Sequence, residues 1–273
     1  MRYFRLGFAL LAALALVLPT LGRPAGPPRM QTVGFNNGQW LVGDWNGDGI
    51  DTIGEYDFNT YTFFLRNSNT TGAADVPPIQ YGGDGAQPIV GDWNGDGKDT
   101  IGVFYSDTAS WDLRNSNTEG RPDKSFFYGF PAGDPITGDW NGDGKDTVGL
   151  FDRDSTTWFL SNTNETKPKA DLTFVYGFWH GYPIVGDWDD NGTDTPGMFE
   201  WASVASWFLN NQNAPDSETP FHYGSNCSAV VGDWNGDGRT TVGCVDDDST
   251  PLWLLRNFNS PGNPSVPPFT YGF

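Results

Sequence analysis

Gly43-Asp44-Trp45-Asn46-Gly47-Asp48-Gly49 is the first of five near-copies of one phrase, and the fourth copy reads Gly-Asp-Trp-Asp-Asp-Asn-Gly. The copies begin at Gly43, Gly91, Gly138, Gly186 and Gly232. Their first aspartates, which lie 48, 47, 48 and 46 residues apart, are Asp44, Asp92, Asp139, Asp187 and Asp233. A fixed period of this length is the signature of a repeat architecture. It favours five similar sites or one scaffold over a single asymmetric catalytic centre.

Each repeat contains four short apolar segments. In the third repeat they cover residues 126–130, 135–140, 147–151 and 157–160, and turn-forming residues separate them. Segments of this length, rich in β-branched and aromatic residues, are typical of strands. Four strands in about 47 residues match one propeller blade. We therefore predict an all-β, five-bladed β-propeller. A β-solenoid or a string of sandwiches is the alternative, but a closed ring removes the edges that an open stack exposes.

The N-terminus precedes the repeats. Arg2 and Arg5 are followed by an apolar run over 6–18, which predicts a signal peptide at residues 1–22. An uncleaved N-terminal anchor is the alternative. Residues 23–35 form a linker, whose end (31–35) has the shape of the Phe-x-Tyr-Gly phrase that closes most repeats. Either this copy pairs beside the last blade as a closing strand, or it is a lead-in segment before the first repeat. Residues 36–273 form one propeller.

The charge and the cysteine content limit the classes of partner and the compartment that the chain fits. The chain has 34 acidic and 15 basic residues, a net charge of −19. This balance argues against nucleic acid and anionic lipid as partners, since both require a basic face. Export permits a disulfide between Cys227 and Cys244, which flank the fifth loop on a predicted hairpin. Two free buried thiols are the alternative.

The repeated loops suggest a metal site. Oxygen side chains at positions 1, 3 and 5, with a glycine at position 6, form the first half of a calcium loop, and the main-chain carbonyl at position 7 is the usual fourth ligand. The candidate ligands are Asp44, Asn46, Asp48 and Ile50; Asp92, Asn94, Asp96 and Lys98; Asp139, Asn141, Asp143 and Lys145; Asp187, Asp189, Asn191 and Thr193; and Asp233, Asn235, Asp237 and Arg239. The alternative is a metal-free Asx-turn, in which each aspartate accepts hydrogen bonds from its own loop.

The loops resemble the FG-GAP and VCBS repeats of integrin α chains and bacterial surface proteins, and the resemblance covers residues 36–273. It implies up to five Ca²⁺ ions in loops between blade strands, and a secreted or surface-attached bacterial protein. Two departures matter. Threonine stands at position 9, where the family usually has a carboxylate, and Thr240 replaces the position-8 aspartate of the fifth loop, which makes that site the weakest. The position-8 aspartates, which are expected to point outward, are Asp51, Asp99, Asp146 and Asp194.

The tryptophans divide into two groups. Those that recur at loop position 2 and on the third strand are expected to pack between blades. Five other aromatic residues break the register of the repeat and are candidate ligand contacts, because exposed rings on loops form platforms for sugars. They are Trp40, Trp179, His180, Tyr182 and Trp201. Anchoring of the loops by hydrophobic contact is the alternative.

The expected function is non-catalytic. We predict a secreted, calcium-stabilised binding or adhesion module, monomeric, whose partner is an extracellular protein or glycan, with no membrane insertion after signal cleavage. A carbohydrate-binding lectin is the alternative, and a passive surface-coat component is a third. A propeller glycoside hydrolase is less favoured, because the acids outside the repeat register stand in no catalytic motif. These acids are Glu55, Glu200, Asp112 and Asp123.

Overall fold

The computed structural model describes residues 33–34, 38–216, 219–246 and 250–272. In these ranges the regular secondary structure is β-strand, arranged as five antiparallel sheets. The predicted five-bladed β-propeller is confirmed. The predicted signal peptide at 1–22 and nearly all of the segment 23–35 lie outside the described residues. No helix within the described ranges has the length and apolarity needed to span a bilayer.

The strands follow one another in sequence order within each blade. Blade 1 contains β1 (Val33–Gly34), β2 (Gly38–Gly43), β3 (Thr52–Asp57), β4 (Thr62–Leu65) and β5 (Ile79–Gln80). Blade 2 contains β6 (Ala86–Gly91), β7 (Thr100–Tyr105), β8 (Ser110–Leu113) and β9 (Lys124–Phe127). Blade 3 contains β10 (Asp134–Gly138), β11 (Thr147–Asp152), β12 (Thr157–Leu160) and β13 (Leu172–Val175). Blade 4 contains β14 (Tyr182–Gly186), β15 (Thr195–Glu200), β16 (Ser206–Leu209) and β17 (Phe221–His222). Blade 5 contains β18 (Ser228–Gly232), β19 (Thr241–Asp246), β20 (Leu252–Leu255) and β21 (Phe269–Thr270).

The innermost strands of the five blades surround a central channel. Because β1 is an additional strand, the four strands of blade 1 are counted from β2, so that β2 is its first strand. Each of β2, β6, β10, β14 and β18 contacts the corresponding strand of both neighbouring blades, so that β18 meets β2 and the ring is closed. The short strand β1 pairs with the start of β2, with Val33 opposite Gln39. The two described residues of the N-terminal copy, Val33 and Gly34, therefore pair with the first blade.

A glycine in the middle of each second strand allows close packing. In blade 3, Gly149 lies opposite Ile136 of β10 and Leu160 of β12. A Cβ atom at Gly149 would lie only 2.9 Å from Leu160 Cδ2 and 3.0 Å from Ile136 Cγ1. This close approach explains why every repeat has glycine two residues after the threonine that begins the strand.

The core is divided among the interfaces between blades. Trp111 of β8 is fully buried, and its Nε1 donates a hydrogen bond to the carbonyl of Tyr128 at 3.0 Å. Val148 and Leu150 of the next blade belong to the same apolar cluster. The corresponding tryptophans of the following blades make the same bond: Trp158, Trp207 and Trp253. The tryptophans that recur in register therefore pack the blades together.

A disulfide joins Cys227 and Cys244, with their Cα atoms 5.6 Å apart. The two cysteines are not directly opposite, because Cys244 of β19 faces Ala229 of β18. The bridge therefore joins the residue just before β18 to β19 diagonally, and the Cα separation is within the ordinary range for a disulfide.

Candidate functional site

The aspartate loops connect the first and second strands of each blade. In the first loop Asp44 Oδ1 accepts the N–H of Gly47 at 2.7 Å, and Asp44 Oδ2 accepts that of Gly49 at 2.7 Å. Asn46 Nδ2 donates to Asp48 Oδ2 at 2.9 Å. The same pattern is repeated around Asp92, Asp139 and Asp233. Each of these loops is closed by its own amides around the first aspartate.

The oxygen atoms of each loop are of the type that a hard cation prefers, although only three side chains per loop supply them. Each loop like the first offers carboxylates at positions 1 and 5, an asparagine at position 3 and the carbonyl at position 7. A carboxylate has about four lone-pair sites, so the hydrogen bonds to Asp44 and Asp48 leave sites free. Water would have to complete the six to eight oxygens that Ca²⁺ prefers. Among the described residues, no three carboxylate, histidine or cysteine side chains converge as a metal-binding group. Calcium in these loops remains a prediction, and the Asx-turn accounts for the bonds observed.

The fourth loop differs in its backbone. Asp187 accepts the N–H of Asn191 at 3.0 Å and that of Gly192 at 2.7 Å, which preserves the turn. Asp190 has a φ of 62°, which is a left-handed conformation, and the other four loops have a glycine at the same position. An aspartate tolerates this region better than most residues, but glycine adopts it without steric cost.

The position-8 residues join neighbouring blades, which corrects the expectation that their side chains point outward. Asp99 of blade 2 accepts the N–H of Asp44 in blade 1 through Oδ2 at 2.8 Å, and the N–H of Asp99 donates to the Asp44 carbonyl at 2.9 Å. We call this reciprocal pair the interblade clasp. The same clasp is made by the position-8 residues Asp146, Asp194, Thr240 and Asp51 with the loop aspartate of the preceding blade.

Thr240 belongs to the clasp between blades 4 and 5. Its Oγ1 accepts the N–H of Asp187 at 3.1 Å, where the other four joints use a carboxylate. The replacement of aspartate by threonine therefore changes the joint with the fourth loop. It does not alter the side chains of the fifth loop, in which Asp233 is bonded like Asp44.

Four clasp carboxylates face one another at the end of the channel nearest the aspartate loops. Asp51, Asp99, Asp146 and Asp194 line a chamber of about 210 Å³ together with Thr240. Burial raises the pKa of Asp99 to about 6 and that of Asp194 to about 7, and nearby carboxylates add to both shifts. Burial, with repulsion from Asp99, also raises the pKa of Asp51 and of Asp146. Crowding of like charges in a poorly hydrated space therefore favours the protonated form.

The adjoining section of the channel is lined mainly by aliphatic residues. Leu41, Ile89, Ile136, Ile184 and Val230 are among the residues that line an adjoining space of about 310 Å³. The channel therefore changes from a mainly aliphatic section to an acidic chamber along its axis.

Four of the five off-register aromatic residues lie around the start of β14. Trp179 and His180 precede this strand, Tyr182 begins it, and Trp201 follows β15. We call these four residues the aromatic patch. Tyr182 pairs with Phe199 near the end of β15, whereas the aspartate loop lies at the opposite end of the same hairpin. The patch therefore occupies the face of the propeller opposite the aspartate loops.

Polar contacts join the parts of the aromatic patch. His180 Nε2 lies 3.1 Å from Glu200 Oε1, and so links the connection before β14 to the residue adjacent to Trp201. The Arg153 guanidinium lies 4.9 Å from the centre of the Tyr182 ring and donates to the carbonyl of Gly181 at 3.2 Å. These bonds hold the two segments that carry the tryptophans in a defined position.

The two tryptophans of the patch are exposed to solvent. Trp179 is 57% exposed and Trp201 is 56% exposed, whereas the other ten tryptophans are buried. Below them, Phe178 packs edge-to-face on Phe208 with ring centres 5.0 Å apart and anchors the connection. Solvent-exposed rings on an anchored segment can provide flat apolar contacts to a ligand.

Trp40 does not belong to the patch. It lies in β2, is 3% exposed, and packs edge-to-face on Trp253 of blade 5 at 5.2 Å. Trp40 was a candidate ligand contact, but the structure places it in the packing between the first and last blades.

Two further recurring contacts were not predicted from the sequence. The guanidinium of Arg66 donates to Thr70 and Thr71 and thereby fills the loop between the third and fourth strands of blade 1. Arg114 and Arg256 do the same in blades 2 and 5. The signal is the repeated phrase Leu-Arg-Asn. In addition, an asparagine in the corresponding loop of all five blades donates to the carbonyl of the position-8 residue: Asn69, Asn117, Asn164, Asn213 and Asn259.

No family model and no curated protein matches this chain. Among solved structures, the chain is similar to an Agrocybe aegerita lectin described by its specific recognition of non-reducing terminal N-acetylglucosamine. The sequence identity is 14% and the TM-score is 0.47, over 85% of this chain and 79% of that chain. Similarity at this level does not identify a ligand for the present protein.

Proposed function

We propose that the chain is a secreted, non-catalytic binding propeller that recognises an extracellular glycan through the aromatic patch. The observation that supports this proposal most directly is the exposure of Trp179 and Trp201 on one face, beside the bonded pair His180 and Glu200. Sugar rings present an apolar C–H face and a polar rim, and a site of this kind offers aromatic surface and hydrogen-bonding groups together. The Cys227–Cys244 disulfide supports an extracellular location, since such bonds form in oxidising compartments.

A glycan-array screen tests the proposal. Wild-type protein is compared with Trp179→Ala and Trp201→Ala, and Phe258→Ala serves as a matched control because Phe258 is 62% exposed but lies in blade 5. We expect specific glycans to bind wild type and Phe258→Ala, with signals reduced at least about tenfold in the tryptophan variants, because well-buried aromatic contacts dominate binding. A blank array with folded protein would contradict the glycan proposal.

A protein ligand is the second candidate. Val204, which is 53% exposed, lies in the same turn as Trp201 and enlarges the apolar surface. Exposed tryptophan beside aliphatic surface is also typical of protein-binding sites. A blank array, followed by capture of a protein by wild type but not by Trp201→Ala, would favour this candidate.

Calcium binding by the aspartate loops forms a separate part of the proposal. It is supported by the paired carboxylates of each loop, such as Asp44 and Asp48, and by their free lone-pair sites. The role of the ion would be structural, because these loops lie on the face opposite the aromatic patch.

A further inference from the structure

A second candidate site lies between blades 2 and 3, away from the aromatic patch. It is a cleft of about 340 Å³, formed where the connection from β9 to β10 meets the loop between β12 and β13. Phe130, Phe159, Lys167, Lys169 and Thr173 are among its lining residues. We call it the interblade cleft. Its size is at the lower end of the range for small-molecule sites.

One wall of the interblade cleft is aromatic. Phe130 and Phe159 pack edge-to-face with ring centres 5.4 Å apart, and both side chains are only partly buried. Part of each ring therefore stays uncovered by protein and lies at the surface of the cleft. At the register position of Phe159, blades 1 and 4 also have a phenylalanine (Phe64 and Phe208), whereas blade 2 has Asp112 and blade 5 has Leu254.

The opposite wall carries positive charge. Lys167 forms an ion pair with Asp171, which also accepts the N–H of Asn162. Lys169 is exposed and has no ion pair or hydrogen bond among the described residues. Since Asp171 compensates Lys167, the wall has one uncompensated positive charge, in a chain whose net charge is −19.

The loop that carries these lysines departs from its counterparts. In blades 1, 2 and 5 an arginine fills the corresponding loop, as Arg66 does in blade 1. Blade 3 has Ser161 in that position, and the hydroxyl of Ser161 donates to the carbonyl of Thr163 at 2.7 Å. Blade 4 has Asn210 at this position, so the arginine is absent from two of the five loops. In blade 3 the loop without arginine carries Lys167 and Lys169, which line the interblade cleft.

The joint beneath the cleft also differs. At three other joints the tyrosine of the closing phrase donates to a third-strand carbonyl of the next blade, as Tyr176 does to Phe208 at 3.3 Å. The hydroxyl of Tyr128 is buried and makes no hydrogen bond within the described part of the chain. The expected acceptor would be the carbonyl of Phe159. The hydroxyl of Tyr81, at the joint between blades 1 and 2, also makes no hydrogen bond within the described residues. The bond found at three of the five joints is therefore missing at two, and one of these two is the joint where the cleft opens.

We propose that the interblade cleft binds a small organic anion of monosaccharide size, with its carboxylate at Lys169 and an apolar face against Phe130 and Phe159. An ammonium group close to a carboxylate gives a charge-assisted hydrogen bond, and the aromatic wall contributes apolar contact. The ligand class is defined by this pairing of one negative charge with one apolar face. Both a uronic acid and an aromatic carboxylate satisfy it.

Calorimetric titration of the full chain at low ionic strength tests this proposal. The probes are D-glucuronate, benzoate and D-glucose, the last as the uncharged counterpart of glucuronate. We expect binding of at least one carboxylate and markedly weaker binding of glucose. Binding of glucuronate alone identifies a sugar acid as the ligand class, and binding of benzoate alone identifies an aromatic acid. Absence of binding by both carboxylates to folded protein would overturn the proposal.

Variants locate the binding. Lys169→Ala removes the uncompensated charge and is expected to weaken binding about tenfold, as for the loss of a hydrogen bond to a charged group. Lys124→Ala is the matched control, since Lys124 is exposed on β9 outside the cleft, and it should bind as wild type. Phe159→Leu introduces the residue found at this register in blade 5 and tests the aromatic wall without removing its apolar character. Equal affinity of Lys169→Ala and Lys124→Ala would overturn the proposal. Trp179→Ala should leave this binding unchanged, which separates it from the glycan proposal.

Discussion

The main-chain N–H of Asp233 donates a hydrogen bond to Asp51 Oδ2 at 2.7 Å and joins the fifth blade to the first across 182 residues. The N–H of Asp51 returns a bond to the carbonyl of Asp233 at 2.8 Å. This is the clasp found at the other four joints, for example between Asp99 and Asp44. The ring therefore closes by the same contact that joins every other pair of neighbouring blades.

Because the clasp carboxyl groups have raised pKa values, we expect the stability of the protein to depend on pH. The pKa of Asp99 is about 6 and that of Asp194 about 7, above the ordinary value of 3.8, so between about pH 4 and 7 the folded protein holds more protons than the unfolded chain. The free energy of unfolding should therefore decrease as pH rises, by on the order of 4 kcal/mol between pH 5 and pH 8. Urea unfolding in EDTA at pH 5, 6, 7 and 8 measures it.

Two variants control the pH experiment. Asp99→Asn with Asp194→Asn keeps an oxygen acceptor for each clasp and removes the titrating groups, so its stability should vary less with pH. Thr240→Asp adds a fifth carboxylate to the chamber and should increase the loss of stability at pH 8. An unchanged pH profile in both variants would show that the clasp aspartates are not the groups that titrate.

Asp190→Gly is expected to stabilise the protein. Asp190 has a φ of 62° where the other four loops have glycine, as at Gly47 with a φ of 75°. Relief of this strain should exceed the entropy that glycine adds to the unfolded chain, for a net gain of up to about 1 kcal/mol. Thermal unfolding of the variant, beside Asp189→Gly as a control at a neighbouring exposed position, measures the difference. A lower melting temperature for Asp190→Gly would show that the aspartate side chain has a stabilising contact that outweighs the strain.

The disulfide in blade 5 is expected to contribute strongly to stability. Cys227 and Cys244 are separated by 17 residues, and closing a loop of this length stabilises a protein by about 3 kcal/mol. Urea unfolding of Cys227→Ser with Cys244→Ser, or of reduced wild type, should show a loss of this size. Equal midpoints for oxidised and reduced wild type would contradict the expectation.

Calcium should raise the melting temperature if the aspartate loops bind it. For dissociation constants of about 10⁻⁴ to 10⁻³ M, 10 mM Ca²⁺ would stabilise by about 1–3 kcal/mol per site. Asp48→Ala and Asp96→Ala remove position-5 carboxylates of the first two loops and should reduce the shift. Identical melting curves in calcium and in chelator would assign these loops to metal-free Asx-turns.

Much of the architecture could be predicted from the sequence, because it depends on local patterns. The period of the aspartate phrase and the four apolar segments per repeat were sufficient for the five blades. The inward direction of Asp51 and its equivalents was not predicted, because it depends on contact with the neighbouring blade. A single repeat does not contain that partner.

The candidate binding residues were only partly predictable. Departure from the repeat register singled out Trp179, His180, Tyr182 and Trp201, which the structure places together around the start of β14, although their grouping was not predicted. The same criterion failed for Trp40, because an off-register ring on an innermost strand can be buried by the adjacent blade. The interblade cleft was missed, since it depends on how a loop of blade 3 meets the connection from blade 2.

Selective oxidation of tryptophan tests the proposed binding face most directly, because Trp179 and Trp201 alone among the twelve tryptophans are exposed. Brief treatment with N-bromosuccinimide, with peptide mapping by mass spectrometry, should modify these two residues and leave the fold intact. The account predicts that glycan-array binding by the untreated protein is lost after this oxidation. Unchanged binding by the oxidised, folded protein, or a blank array before oxidation, would contradict it.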